Sequence, residues 1–216
     1  ACAPYRRLNL CNKNMEKMDA NNYDSGNAKH KLLAEVCLAA KYEGQSIKTH
    51  YPKYQAQYPG SASTTCTELA RSFADIGDIV RGKDLYLGKK KKKKTKTKRN
   101  KIKKNLQKIF GDIYKKLTKN EKKASEAQNP YKNTKNFYQL QKNWWTANRK
   151  TVWKAITCSA NGGNAYFQQT CNDDGTSSRA IHQCRCQKKD GTHDSDQVPT
   201  YFDYLPQYLK WFKEWA

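Results

Sequence analysis

The densest chemistry in the chain is cationic. Lys89, Lys90, Lys91, Lys92, Lys93, Lys94, Lys96, Lys98, Arg99 and Lys101 follow one another almost without interruption. Such a run binds polyanions by displacing their counterions, so its affinity should fall steeply with salt. The formal charge of the 216 residues is +23, and it is concentrated: Lys89 to Lys123 holds eighteen Lys or Arg against Asp112 and Glu121, a local +16, which leaves +7 for the rest. A partner for this segment must be locally polyanionic, and nucleic acid, sulfated glycan and anionic lipid all qualify on charge. The competing view is a solvated, variable insert without a ligand, because lysine repeats cost little to expand.

Cysteine is the second reactive type. Cys2, Cys11, Cys37, Cys66, Cys158, Cys171, Cys184 and Cys186 make an even set of eight, which points to disulfides and an oxidising, extracellular setting. His182, Cys184, Cys186 and His193 come nearest to a metal constellation. Their C-x-C spacing departs from zinc-binding patterns, so half-cystines near a loop are the preferred reading and no metal is expected.

Nothing else reads as catalytic. His30 and His50 lack a nucleophile motif beside them, and Gly162-Gly163 lacks the Lys and Ser/Thr of a phosphate loop. Asp75 and Asp78 share a helix and could serve as paired carboxylates. They belong to a mixed-charge face with Arg71, Arg81, Lys83 and Asp84, for which interhelical ion pairs are the simpler account. Trp144, Trp145 and Trp153, with Arg149 and Lys150, could form a stacking platform for bases, but their spacing fits a helical core stripe better. The expectation is a non-enzyme without cofactor.

The elements that position these groups are helices. Leu32, Leu33, Val36, Cys37 and Ala40 predict one over 27–42, stopped by Gly44 and followed by an extended, tyrosine-rich connection containing Pro52 and Pro59. Thr65-x-x-Glu68 predicts a capping box opening a second helix with Cys66, Leu69, Phe73, Ile76 and Val80 on one stripe, Gly77 packed closely against a neighbour, and Gly82 at its end. The tract 89–104 should be solvated and mobile, before a third helix carrying Ile102, Leu106, Ile109, Ile113 and Leu117. A fourth helix is expected over 136–158, its stripe running Phe137, Leu140, Trp144, Ala147, Thr151, Ala155 and Cys158, flanked by Trp145, Val152, Trp153 and Ile156, a face wide enough to be buried on more than one side. Residues 159–197 read as a cysteine-tied loop, and a last helix should bury Leu205, Leu209, Phe212 and Ala216. The result is an all-α bundle with long disulfide-tied loops, and no stretch approaches the ~18 apolar residues of a membrane span.

Four strings carry a resemblance: ACAPYRRLNLC from Ala1, LARSFADIGDIVRGKDLY from Leu69, WWTANRKTVWKAITC from Trp144 and VPTYFDYLPQYLKWFKEWA from Val198. Together they resemble the Duffy-binding-like domains of the malaria-parasite erythrocyte membrane protein 1 family, alpha class. The resemblance implies a Duffy-binding-like helical bundle in three parts: residues 1–20 the end of an irregular first subdomain, 21–175 the helical second with the Lys-rich loop 89–104, and 176–216 the start of a helical third. The chain would be a piece of a longer, membrane-anchored protein displayed on the infected erythrocyte, with the anchor elsewhere.

The same resemblance implies an adhesion module of a variant surface antigen. Its partners would be host erythrocyte or endothelial receptors and sulfated glycosaminoglycans such as heparan sulfate, with no nucleic acid. The glycan would sit on the lysine run. The alternative is an intracellular nucleic-acid-binding protein using that run, and cysteine oxidation state separates the two. The resemblance also pairs Cys66 with Cys171, which leaves Cys37 with Cys158; Cys2 and Cys11 would pair with each other or stay free, and Cys184 and Cys186 remain open.

Overall fold

The computed structural model describes residues 2–19, 27–59, 63–86, 98–119, 137–166, 168–171, 178–187 and 197–215. Helices α1 (Tyr5–Leu8) and α2 (Lys13–Lys17) precede four long ones: α3 (Ala28–Gln57), α4 (Thr65–Val80), α5 (Lys98–Thr118) and α6 (Tyr138–Ile156). A 3₁₀ turn, Phe202–Tyr204, leads to α7 (Gln207–Trp215). Among the described residues no strand occurs, only isolated bridges at Cys171–Ser178 and His182–Arg185. The expected all-α bundle is what forms.

α4 is the axis of the core. Fourteen of its sixteen residues are buried, so it is covered on every side. Gln55 of α3 reaches the Ser63 carbonyl at 3.2 Å, and Glu43, lower on α3, accepts from Ser72 at 2.7 Å. α4 therefore runs antiparallel to α3. It is also antiparallel to α6: Phe73 meets Trp153 edge-on at 5.2 Å, and Gly77, one turn on, lies under Trp145. It follows that α3 and α6 are parallel. Leu69, Phe73, Ile76 and Val80 of α4 share the core with Leu32, Val36 and Ala40 of α3, Leu106, Ile109 and Phe110 of α5, and Trp145, Val152, Trp153 and Ile156 of α6.

Several boundaries differ from expectation for local reasons. α3 does not stop at Gly44 but continues through Pro52 to Gln57. Gly44 is a contact point: a Cβ there would lie 2.0 Å from the Ile156 carbonyl oxygen, so only glycine lets α3 and α6 approach this closely. The cap of α4 sits one residue earlier than the proposed box. Thr64 accepts from the Thr67 amide at 3.2 Å, while Glu68 turns to Ser63 and Arg71. Gly82, at φ +70°, does end that segment, and the Lys83 amide closes back on the Asp78 carbonyl at 2.8 Å.

α5 begins at Lys98, inside the tract expected to be loop; residues 89–97 lie outside the described residues. On α6 the wide apolar face is buried as expected at Leu140, Trp144, Trp145, Val152, Trp153 and Ile156, but Ala147, Thr151 and Cys158 of the expected stripe are exposed, and Gln141 and Asn148 face inward instead. Asn148 is accommodated by donating to the Trp144 carbonyl at 2.7 Å.

Candidate interaction surface

The mixed-charge face of α4 is mostly interior, with only Lys83 exposed and Arg71 part-buried. Asp75, Asp78, Arg81 and Asp84 are buried, and each is engaged by a partner from the two chain ends. Arg6 of α1 lies 2.7 Å from Asp75 and donates twice to Glu214 of α7, at 3.1 and 2.8 Å. Arg7 pairs with Asp84, and Arg81 with Asp78 at 2.9 Å. Lys210 pairs with Asp78, while Gln207 donates to Asp84 at 2.9 Å and Trp211 to Asp75 at 3.4 Å. The ion-pair reading of this face is the one the geometry supports. Buried charges persist when paired and hydrogen-bonded, and here each carboxylate is paired and accepts at least one hydrogen bond, although Asp75 Oδ2 has only its ion pair with Arg6. Burial pushes the Asp78 carboxyl up to about 6, against the opposing pull of Lys210 and Arg81. Burial likewise raises Glu214, with Arg6 opposing.

This arrangement inverts α7. Its inward side is Gln207, Lys210 and Trp211, whereas Leu209 and Phe212, expected inside, are exposed along with Tyr208 and Trp215. Ala216 lies outside the described residues. A second acidic centre, Asp203, accepts from Trp145 at 2.9 Å and from Arg149 at 2.8 and 3.1 Å. Trp144, Trp145 and Trp153 are all buried, so no base could stack on them.

The disulfides correct the sequence-based pairing. Cys66 bonds Cys184 rather than Cys171, and Cys171 bonds Cys186. The return of the chain at 178–187 explains the exchange. Tyr166 donates its amide to the Ala180 carbonyl at 2.9 Å, Cys184 to Asn164 at 3.1 Å, and Trp153 holds the Cys184 carbonyl at 3.1 Å. Alternate residues of the C-x-C pair then meet α4 on one side and Cys171 on the other. Cys37 and Cys158 are unbonded, as are Cys2 and Cys11. Parallel packing forbids a Cys37–Cys158 bridge: Cys37 lies seven residues before the Gly44–Ile156 contact, ~10 Å along the helix, and Cys158 lies beyond it. A disulfide tolerates a Cα separation of only ~7 Å. Because Cys184 and Cys186 are both disulfide-bonded, neither offers a thiolate to zinc.

The exposed chemistry is basic. Lys89, Lys90, Lys91, Lys92, Lys93, Lys94 and Lys96 lie outside the described residues, and Lys98 and Arg99 open α5. From there α5 buries Ile102, Leu106, Ile109, Phe110 and Ile113 and exposes Lys101, Lys104, Lys108, Lys115 and Lys119. Those lysines recur every three, four or seven positions and so share one outer face about 27 Å long. Asp112 interrupts them and pairs with Lys115 at 3.3 Å. The Lys-rich tract expected over 89–104 reaches this face as far as Lys104, while Lys108 was passed over; its complementarity to the Ile102–Ile113 stripe was the available signal.

The whole is a disulfide-stapled helical bundle in which the acids of α4 are turned inward to the chain ends and the lysines of α5 are turned outward. The Duffy binding domain sequence model matches residues 1–210, and the chain belongs to that family. Its likeness is to the alpha class. It matches the crystal structure of the NTS-DBL1α domain of Plasmodium falciparum membrane protein 1 (PfEMP1), varO strain, at 41% identity and TM-score 0.75, covering all of this chain and 43% of that one. The varO NTS-DBL1α–CIDRγ double domain matches at 39% and 0.74, covering all of this chain and 27% of that one. A PfEMP1 DBLβ domain solved bound to human ICAM-1 matches at 29% and 0.62, over 97% of this chain and 38% of that one. This chain thus spans under half the length of these relatives. No curated protein matches it.

Proposed function

We propose that this chain is part of an extracellular, non-enzymatic adhesion module of a variant surface antigen, which binds host-cell receptors and engages sulfated glycosaminoglycan through its lysine run. Family membership supports adhesion, since a related DBLβ domain was solved bound to human ICAM-1. The parent protein would be displayed on the infected erythrocyte, anchored by a segment other than these helices, of which none among the described residues is long and apolar enough to cross a membrane. Residues 1–20, 21–175 and 176–216 would belong to successive subdomains of the longer domain.

One observation carries the glycan reading: the lysine run feeds directly into the exposed basic face of α5. A sulfated chain lying along Lys101, Lys104 and Lys108 meets cations fixed on a rigid helix. Less ordering entropy is then lost than on a loop alone. The test is heparin-agarose retention of three proteins: wild type, Lys90, Lys92, Lys94, Lys96 and Lys98 changed to Ser, and Lys101, Lys104, Lys108 and Lys115 changed to Ser. Each variant should elute at lower salt with its helical circular dichroism intact, because Lys101, Lys104, Lys108 and Lys115 are exposed and the lysine run offers no apolar side chain to the core. Elution of both at the wild-type salt concentration would refute the glycan reading.

A further inference from the structure

The buried stripe of α3 does not end where the bundle does. It runs Leu32, Val36, Ala40, Glu43 and Ile47, and continues in step as Tyr51, Tyr54 and Tyr58. Past Ile47 the helix keeps one side on the bundle through Tyr51 and Gln55, but Lys48, Thr49, His50, Lys53 and Tyr54 are all exposed. The three tyrosines form a ladder, Tyr51 against Tyr54 with ring centroids 6.0 Å apart and Tyr54 against Tyr58 at 5.0 Å. Tyr54 is 49% and Tyr58 54% exposed. Tyrosines locked against one another are pre-ordered, so a partner gains contact area while little side-chain entropy is lost.

We propose that this tyrosine ladder is an anchor for an acidic protein face on the host-cell surface, distinct from the lysine face of α5. The inference rests on the adhesion reading but not on its glycan part. Charge complementarity selects the partner. From Gly44 to Thr67 the chain contains no Asp or Glu, while Lys48, His50 and Lys53 are exposed on the same stretch of helix. A second copy of this chain is disfavoured, because two bodies of net charge +23 repel. A sugar is disfavoured by the rings themselves. Inclined at 24° and 40° and packed on one another, they offer edges and hydroxyls more than open faces. Two half-exposed tyrosines present on the order of 200 Å², against the ~800 Å² per partner of a standard interface. The ladder is therefore a hot spot within a wider contact, and one whose single affinity is modest and multiplied by display in many copies.

The experiment measures binding of the labelled 216-residue chain to human erythrocytes and human endothelial cells, each untreated, heparinase-treated or trypsin-treated. Wild type is compared with Tyr54→Ser/Tyr58→Ser, Tyr54→Phe/Tyr58→Phe and the five-lysine variant Lys90, Lys92, Lys94, Lys96 and Lys98 to Ser. On heparinase-treated cells of at least one type, wild type should retain binding that trypsin removes. The Ser pair should lower that binding at least ~10-fold, whereas the Phe pair, which keeps rings and stacking, should lower it far less. The lysine variant should lose only what heparinase removes, so failure of the glycan reading leaves this result standing. Unchanged thermal unfolding of the Ser pair shows that the loss is not misfolding. The proposal is overturned if the Ser pair binds heparinase-treated cells as wild type does, or if no trypsin-sensitive binding exists on either cell. It is equally overturned if the Ser substitutions act only on the heparinase-sensitive part, or by dissociating a dimer detected in sedimentation.

Discussion

Gly77 lies directly beneath the Trp145 indole: a methyl group at its Cα would sit 2.7 Å from Cζ2 and 2.8 Å from Cε2. Alanine would gain ~1 kcal/mol of helix propensity over glycine, but the ring cannot retreat. Trp145 is fully buried, tilted against Phe73 with centroids 5.0 Å apart, and tied to Asp203 at 2.9 Å. Overpacking of this kind typically costs ~1–3 kcal/mol, so the clash wins. Gly77→Ala should lower the unfolding midpoint in urea, and an unchanged or raised midpoint would mean that α4 and α6 are farther apart than described.

Trp144, the neighbour of that indole, faces α5 instead. It meets Phe110 edge-on at 6.1 Å and is 5% exposed. Trp144→Ala should remove ~3–5 kcal/mol through the cavity left behind, measured by chemical denaturation. An effect under ~1 kcal/mol would place the ring at the surface.

How far the sequence disclosed this arrangement depends on what each helix buries. α4 was legible because Leu69, Phe73, Ile76 and Val80 are apolar and spaced by threes and fours, and α5 for the same reason. α7 was misread because its inward groups are Gln207, Lys210 and Trp211. Hydrophobic periodicity finds the oily side, and in α7 the oily side faces out. The length of α3 was hidden by Gly44 and Pro52, local stop signals overridden by contact with Ile156 and by a stripe that persists to Tyr58. Disulfide partners failed differently, since whether Cys66 meets Cys171 or Cys184 depends on a chain reversal that no spacing encodes. Of the candidate site, charge was readable, and so was the outer face of α5 from its apolar stripe; that the acids of α4 are internal required the fold.

The thiols should sort into three classes. Cys66, Cys171, Cys184 and Cys186 are bonded and should label only after reduction. Burial pushes the Cys11 thiol up to about 11, with Glu43 adding to the effect, and burial alone does the same for Cys37. The thiolate is the nucleophile, so both should react slowly with iodoacetamide at pH 8 until the chain is unfolded. Cys2 and Cys158 are exposed and should label in the native state. Non-reducing peptide mapping should recover Cys66–Cys184 and Cys171–Cys186; recovery of Cys66–Cys171 would reinstate the pairing that the resemblance implied.

Lys210 is the cation on which the docking of α7 depends. Removing it leaves the Asp78 carboxylate buried with only Arg81, and breaking a buried pair typically costs ~3–5 kcal/mol. Because α7 is bound by polar contacts on its inner side, the loss should appear first as faster amide exchange in residues 207–215. Lys210→Met alone should show this, and Asp78→Asn added to it should restore much of the protection. If the double variant were no better than the single, charge pairing would not be what seats the helix.

Asp78 also gives stability a pH dependence of definite sign. Its carboxyl is raised from 3.8 to about 6, so the folded state holds this proton more tightly than the unfolded chain. The stabilisation from that proton is full below the unfolded value and is lost as pH rises through about 6. This group therefore favours the fold on mild acidification, the reverse of an ordinary salt-bridged aspartate. Asp78→Asn mimics the protonated form, so the wild-type melting temperature should fall relative to that of the variant as pH rises from 4 to 7. Glu214, raised in the same direction by burial, contributes to the remaining slope. A difference between the two proteins that stays constant from pH 4 to 7 would show that Asp78 does not titrate in this window.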